Sequence, residues 1–197
     1  MHIDKILLGV DRVSAAVGKL FAWCIVLLTL AVSYEVFARY MFRRPTSWAF
    51  DTSYILYGTL FMMAGAYTLS RNGHVRGDFI YRNFPPRRQA AFDLVLYCLF
   101  FFPGMLAFVY AGWNYFSLSY MMNEHSAFSP HGPIIWPYKG VIPLVGTLML
   151  AQGLAEVTRC IICLRTGEWP RRLKDVEELE KVIAERVEAE RAAGRAR

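Results

Sequence analysis

The sequence predicts an all-α integral membrane protein: four transmembrane helices, an N-terminal interfacial helix and a C-terminal amphipathic helix in the cytoplasm. Three observations predict it. The chain of 197 residues is 55% hydrophobic and only 19% charged, where a soluble domain carries about a quarter charged residues. The excess apolar residues gather into four stretches, each long enough for the ~20 residues that cross a bilayer. The basic residues behind the net charge of +6 sit between and after those stretches, a pattern that reports membrane orientation rather than an acidic substrate. The same composition excludes a disordered protein, a nucleic-acid-binding domain and an ordinary soluble enzyme.

Each element follows in order. Over residues 1–17, Ile3, Ile6, Leu7, Val10 and Val13 recur at helical spacing, with Asp4, Lys5, Asp11 and Arg12 on other faces. This reads as a short helix in the membrane interface. It is not a cleavable signal, because the apolar part that follows is too long. A four-helix membrane domain then spans 18–165, with crossings at about 18–42, 48–69, 90–122 and 134–164. Arg43-Arg44-Pro45 ends the first crossing, since proline cannot continue the hydrogen-bond ladder. Ser70-Arg71-Asn72-Gly73 ends the second with turn chemistry. Pro103-Gly104 predicts a kink in the third, which is longer than a bilayer needs. Residues 168–197 change abruptly to a charged tail, in which Val176, Leu179, Val182, Ile183 and Val187 mark one helix face.

The loops set the orientation. Lys5, Arg12 and Lys19 precede the first crossing, five arginines fill the middle loop, and the tail is basic. The loop at 123–133 has no Lys or Arg. Basic residues stay cytoplasmic, so both termini and the middle loop are expected inside.

Few residues carry chemistry. Glu35 and Arg39 stand four apart on the first crossing. A charge at that depth is costly and takes a partner. The pair either satisfies itself or faces another subunit, and Asp51 is placed to reach Arg39 or Arg43 across the short loop. Gly58, Gly65, Gly146, Gly153, Ala107, Ala111, Ala151 and Ala155 recur at packing spacing and let helices approach. Gln152 reads as interhelical glue, and Glu156 as a partner for Arg159. Cys24, Cys98, Cys160 and Cys163 all lie in apolar stretches and read as packing; the Cys160-x-x-Cys163 spacing lacks the second pair or histidine of a metal site. No catalytic, phosphate-binding, cofactor or metal constellation stands out. The competing class is a membrane anchor for a respiratory redox enzyme, but His2, His74, His125 and His131 all fall outside the apolar stretches, where a haem anchor needs them.

Read together, Arg39-Tyr40-x-Phe42, Pro45, Trp48-x-x-Asp51, Gly65-Ala66, His74-Val75-x-x-Asp78 and Phe84-Pro85 resemble the small membrane subunit of TRAP (tripartite ATP-independent periplasmic) transporters. Pro137, Pro143-Leu144 and Gln152 extend the resemblance over roughly 14–165. Asp51 stands where that family usually has Glu, so the charge survives; the long tail is not general to the family. The resemblance implies a four-helix subunit of the bacterial inner membrane, without cofactor, in a sodium-driven transporter of organic acids. It implies three partners: a large membrane subunit that carries substrate and sodium, a periplasmic substrate-binding protein, and membrane lipids. Carried over by position, Arg39, Trp48 and Asp51 match the first-hairpin motif, and His74 and Asp78 a cytoplasmic-loop motif; together with Glu35, the first three are expected at the subunit interface. Arg43, Arg44, Glu124 and His125, expected outside, become contacts for the binding protein.

Overall fold

A computed structural model describes residues 2–71, 73, 81, 83–129, 132–170, 172, 183, 186 and 187. His74, Asp78 and most of the charged tail lie outside the described residues. Among the described residues six α-helices can be bounded: α1 His2–Ala22, α2 Cys24–Met41, α3 Ala49–Ser70, α4 Pro86–Leu96, α5 Phe102–Met121 and α6 Trp136–Thr166. Among the described residues the only extended pairing is an isolated bridge between His125 and Ile134.

Local chemistry fixes the ends. Asp4 in the first turn of α1 and Lys19 in its last complement the helix dipole. A single turn residue, Trp23, separates α1 from α2, and the Trp23 carbonyl accepts the Val26 N–H at 3.1 Å. The helical path from α1 to α2 is thus interrupted at one residue only. Arg43 stops α2 in a left-handed conformation (φ 51°), and the Arg44 N–H turns back to the Ala38 carbonyl at 3.0 Å. Asn123 (φ 46°) closes α5 with a Schellman motif. In it the Glu124 N–H bonds Ser119 O at 3.0 Å and the Asn123 N–H bonds Tyr120 O at 3.1 Å. Pro86 and Pro137 sit in the first turns of α4 and α6, where a missing N–H costs nothing.

The irregularity expected at Pro103-Gly104 lies one turn earlier. A π-helical turn, Tyr97–Phe101, joins α4 to α5. Pro103 has no N–H and its ring crowds the carbonyl four residues back, so the backbone widens there; the Phe102 N–H bonds Tyr97 O, five residues back.

Helices α3 and α6 are the centre. Helices α1 and α2 pack on α3, α3 on α6, and the α4–α5 rod on α6 alone. Close approach is made by glycine: a Cβ at Gly146 would lie 2.5 Å from Val109, and one at Gly153 would lie 2.3 Å from Phe101. At the other end of the core, Ala90, Cys160 and Cys163 are buried against Leu94, Leu164 and Trp169. Both thiols are free.

Among the described residues three helical stretches are long and apolar enough to cross a membrane: Ile3–Met41, Pro86–Met121 and Trp136–Thr166. Helix α3 has 22 residues, with Asp51, Thr59, Thr68 and Ser70 diluting its apolar character. The outward surface is apolar: Phe61, Phe100, Tyr110 and Met121 are each at least 70% exposed, which requires lipid or protein to cover them.

In the N-terminal segment most of the apolar stripe faces away from the bundle. Ile3, Ile6 and Val13 are exposed, whereas Leu7, Asp11, Ser14 and Ala15 are buried. Around an apolar bundle, lipid takes the apolar stripe and protein takes the polar groups that need partners.

Candidate functional site

Two polar clusters lie inside this apolar frame. The first ties the α2–α3 turn to the 123–135 loop. Glu35 Oε1 accepts from Arg39 Nη2 at 2.6 Å and Nε at 2.9 Å. Its Oε2 accepts the Thr46 N–H at 2.9 Å and the Thr46 hydroxyl. The i,i+4 spacing makes the ion pair local, and Thr46 brings the descending chain onto it. Trp48 stacks on Tyr34, centroids 5.9 Å apart, across the same hairpin.

Asp51 does not join this cluster. It reaches neither Arg39 nor Arg43. In the first turn of α3 its carboxylate points inward and is fully buried. There Oδ1 accepts from the Ser126 hydroxyl, and Oδ2 has no hydrogen-bond partner. Ser126 is thereby a fixed point of the loop: its N–H bonds Pro133 O at 2.9 Å, and the Ser129 hydroxyl bonds Ser47 O at 2.5 Å beside it. Phe128 packs edge-on against Phe50 and Tyr54.

Glu124 is bonded to Lys139, a buried side chain of α6 whose ammonium lies 3.9 Å from the Tyr115 ring centroid. The Lys139 ammonium holds the Glu124 carboxyl below its ordinary value of 4.5. His125 is exposed and donates from Nδ1 to Gly132 O at 2.9 Å. Arg43 and Arg44 are exposed. Of the four residues expected to meet a partner, Arg43, Arg44 and His125 are exposed, whereas Glu124 is already engaged within the chain.

The second cluster joins α1 to α6. Ser14 donates to Gln152 Oε1 at 2.9 Å, and Gln152 Nε2 donates to Asp11 Oδ1 at 2.8 Å. Arg159 Nη2 sits 2.5 Å from Asp11 Oδ2, its Nη1 bonds Glu156, and Glu156 Oε2 takes Arg172 Nη2 at 2.7 Å. Asp11, Gln152, Glu156 and Arg159 are all buried. Two carboxylates meet two guanidiniums, so the cluster is neutral, as buried charge requires. Gln152 acts as the expected interhelical glue and Glu156 pairs with Arg159, but the sequence placed Asp11 only on a face other than the apolar one and gave it no partner. The signal was present as two stripes of matching spacing: Leu7, Asp11 and Ser14 on α1, and Gln152, Glu156 and Arg159 on α6.

Among the described residues no three His, Cys, Asp or Glu side chains stand close enough to hold a metal ion. The chemistry these clusters perform is joining: each links segments far apart in sequence through charge-assisted hydrogen bonds.

Residues 28–162 match a family model described as tripartite ATP-independent periplasmic transporters, DctQ component. The chain matches no curated protein.

Proposed function

We infer the working role of this chain from one premise: it belongs to the DctQ family, the small membrane subunits of TRAP transporters. It is an integral membrane protein of a transporter family rather than of an enzyme family. Its working partners are then a large membrane subunit and a substrate-binding protein. The role proposed for it is that of a scaffold. It holds the large subunit in place and offers part of the surface on which the binding protein lands, in a sodium-driven transporter of organic acids.

One observation carries the scaffold reading. The polar side chains of α6 are engaged within the chain: Lys139, Gln152, Glu156 and Arg159 each bond a side chain of this same polypeptide. A helix lining a hydrophilic path would turn such groups toward the path. Here they join helices, while the outward surface is left apolar for lipid and for a larger subunit.

The finer reading places α3 across the bilayer as a fourth crossing, in the inner membrane, with both termini in the cytoplasm. Arg43, Arg44, Glu124 and His125 then face the periplasm and contact the binding protein. Glu35, Arg39 and Trp48 brace the first hairpin against the large subunit, and Asp51 supports the loop from beneath. His74 and Asp78 belong to the cytoplasmic loop.

The test is uptake by the reconstituted three-part system. Arg43→Glu with Arg44→Glu should lower uptake at least several-fold while the two membrane subunits still co-purify. Unchanged uptake removes the docking role; transport by this chain alone in vesicles removes the scaffold role.

A further inference from the structure

We propose that the free flank of α1 is a binding surface for anionic phospholipid headgroups, with Lys5, Arg12 and Lys19 as its phosphate contacts. The proposal rests on the reading of the chain as an integral membrane protein and on nothing about its partner subunits.

The buried cluster fixes how α1 is turned. Asp11 and Ser14 are held by Gln152 and Arg159, so α1 cannot roll about its axis without breaking those bonds. At ~100° per residue, Leu7, Asp11, Ser14 and Ala15 share the bundle-facing arc. Lys5, Arg12 and Lys19 then fall within about 60° of one another on one flank, at intervals of seven residues or ~10 Å along the axis. Ile3, Ile6, Val10, Val13 and Leu20 occupy the adjoining flank. Lys5, Arg12 and Lys19 are exposed, and none of them forms an ion pair among the described residues. A Cβ built at Gly9, between the basic and the apolar flank, meets nothing within 4 Å, so this side of the helix is open.

An apolar stripe beside a basic stripe on one rigid helix fits a single kind of surroundings: acyl chains on one side and anionic headgroups on the other. Zwitterionic headgroups carry no net charge to match three unpaired cations, whereas each anionic headgroup supplies one. Long Lys and Arg stems let the charges reach the phosphate layer while their methylenes stay in the apolar layer. What distinguishes this helix from a loosely attached amphipathic segment is its anchorage: the basic row is presented at a fixed angle before any lipid arrives.

The experiment uses the full chain in nanodiscs of phosphatidylcholine containing 30 mol% phosphatidylglycerol, followed by detergent extraction and mass spectrometric counting of retained lipid. The wild-type chain should retain phosphatidylglycerol several-fold above its bulk proportion. Lys5→Gln/Arg12→Gln/Lys19→Gln should fall to the bulk proportion, while Lys5→Arg/Lys19→Arg and Arg43→Gln/Arg44→Gln keep the enrichment. Enrichment that survives the triple substitution, or is absent from the wild type, overturns the proposal. So does loss of enrichment in the charge-preserving variant. Thermal unfolding in pure phosphatidylcholine should be the same for the triple variant and the wild type. Co-purification with the large subunit reports separately on the scaffold role.

Discussion

Arg159 of α6 and Asp11 of α1 form an ion pair at 2.5 Å with neither side chain exposed, across 148 residues of sequence. Removing one member of such a pair leaves a charge with no water to take it, at a cost of about 3–5 kcal/mol. Asp11→Leu is therefore expected to lower the thermal unfolding midpoint sharply in detergent. Arg159→Met placed on that background should recover part of the loss, because the remaining buried charges, Glu156 and Arg172, then balance each other again. A double variant no better than the single one would show that the two charges are not coupled.

Two glycines with opposite surroundings should respond oppositely to alanine. A Cβ at Gly132 would stand 2.3 Å from the backbone oxygen of Ser126, an obstacle that cannot rotate aside. Gly132→Ala should open the 123–135 loop and expose its amides to hydrogen exchange. A Cβ at Gly104 meets nothing within 4 Å, so Gly104→Ala should be neutral or raise stability by up to ~1 kcal/mol through lower backbone freedom in the unfolded chain.

The loop should also loosen in acid. Glu124 has its carboxyl held below the ordinary 4.5 by Lys139. A lowered carboxylate value contributes stability that is fully present above about pH 4.5 and is lost as pH falls through the folded value. Emission from Trp136, whose ring lies 5.1 Å from Tyr120 beside this loop, should be level from pH 7 to about 5 and change below. Glu124→Gln should be free of that acid step, and a step of equal size in the variant would assign it to another group.

Asp51 is expected to act on the loop rather than on a neighbouring subunit. Asp51→Leu strands the buried Ser126 hydroxyl, a loss of about 1–3 kcal/mol. Exchange at the Ser126 and Phe128 amides should quicken, with Ser126→Ala reproducing most of the effect. If co-purification with the large subunit fails while those amides stay protected, the side chain has a direct partner.

What could be read from the sequence was what is local. Glu35–Arg39 and Glu156–Arg159 stand three or four residues apart, so helix geometry alone brings them together. The stops at Pro45 and Ser70-Arg71 were legible because proline and turn chemistry act on the chain beside them. Asp51 with Ser126, and Asp11 with Arg159, are pairings of distant segments, and no local rule reports them. That the face carrying Asp11 is the one turned to the bundle was hidden for a different reason: in water an apolar stripe points to the core, but here the surroundings are apolar too, so hydrophobic periodicity no longer marks the inside. Pro103 announced a disturbed backbone; that the disturbance takes the form of a wide turn at Tyr97–Phe101 depends on how α4 and α5 both lie along α6.

Helix α6 has 31 residues, ~46 Å at 1.5 Å per residue, against ~30 Å of hydrocarbon. Upright, about ten of its residues must stand clear of the oil. Arg159 is seven residues from Thr166, its last residue, so the welded joint with α1 lies within about two turns of one end. The bundle has a brace there: two helices locked together by charge, against which the apolar part can be gripped without its helices splaying.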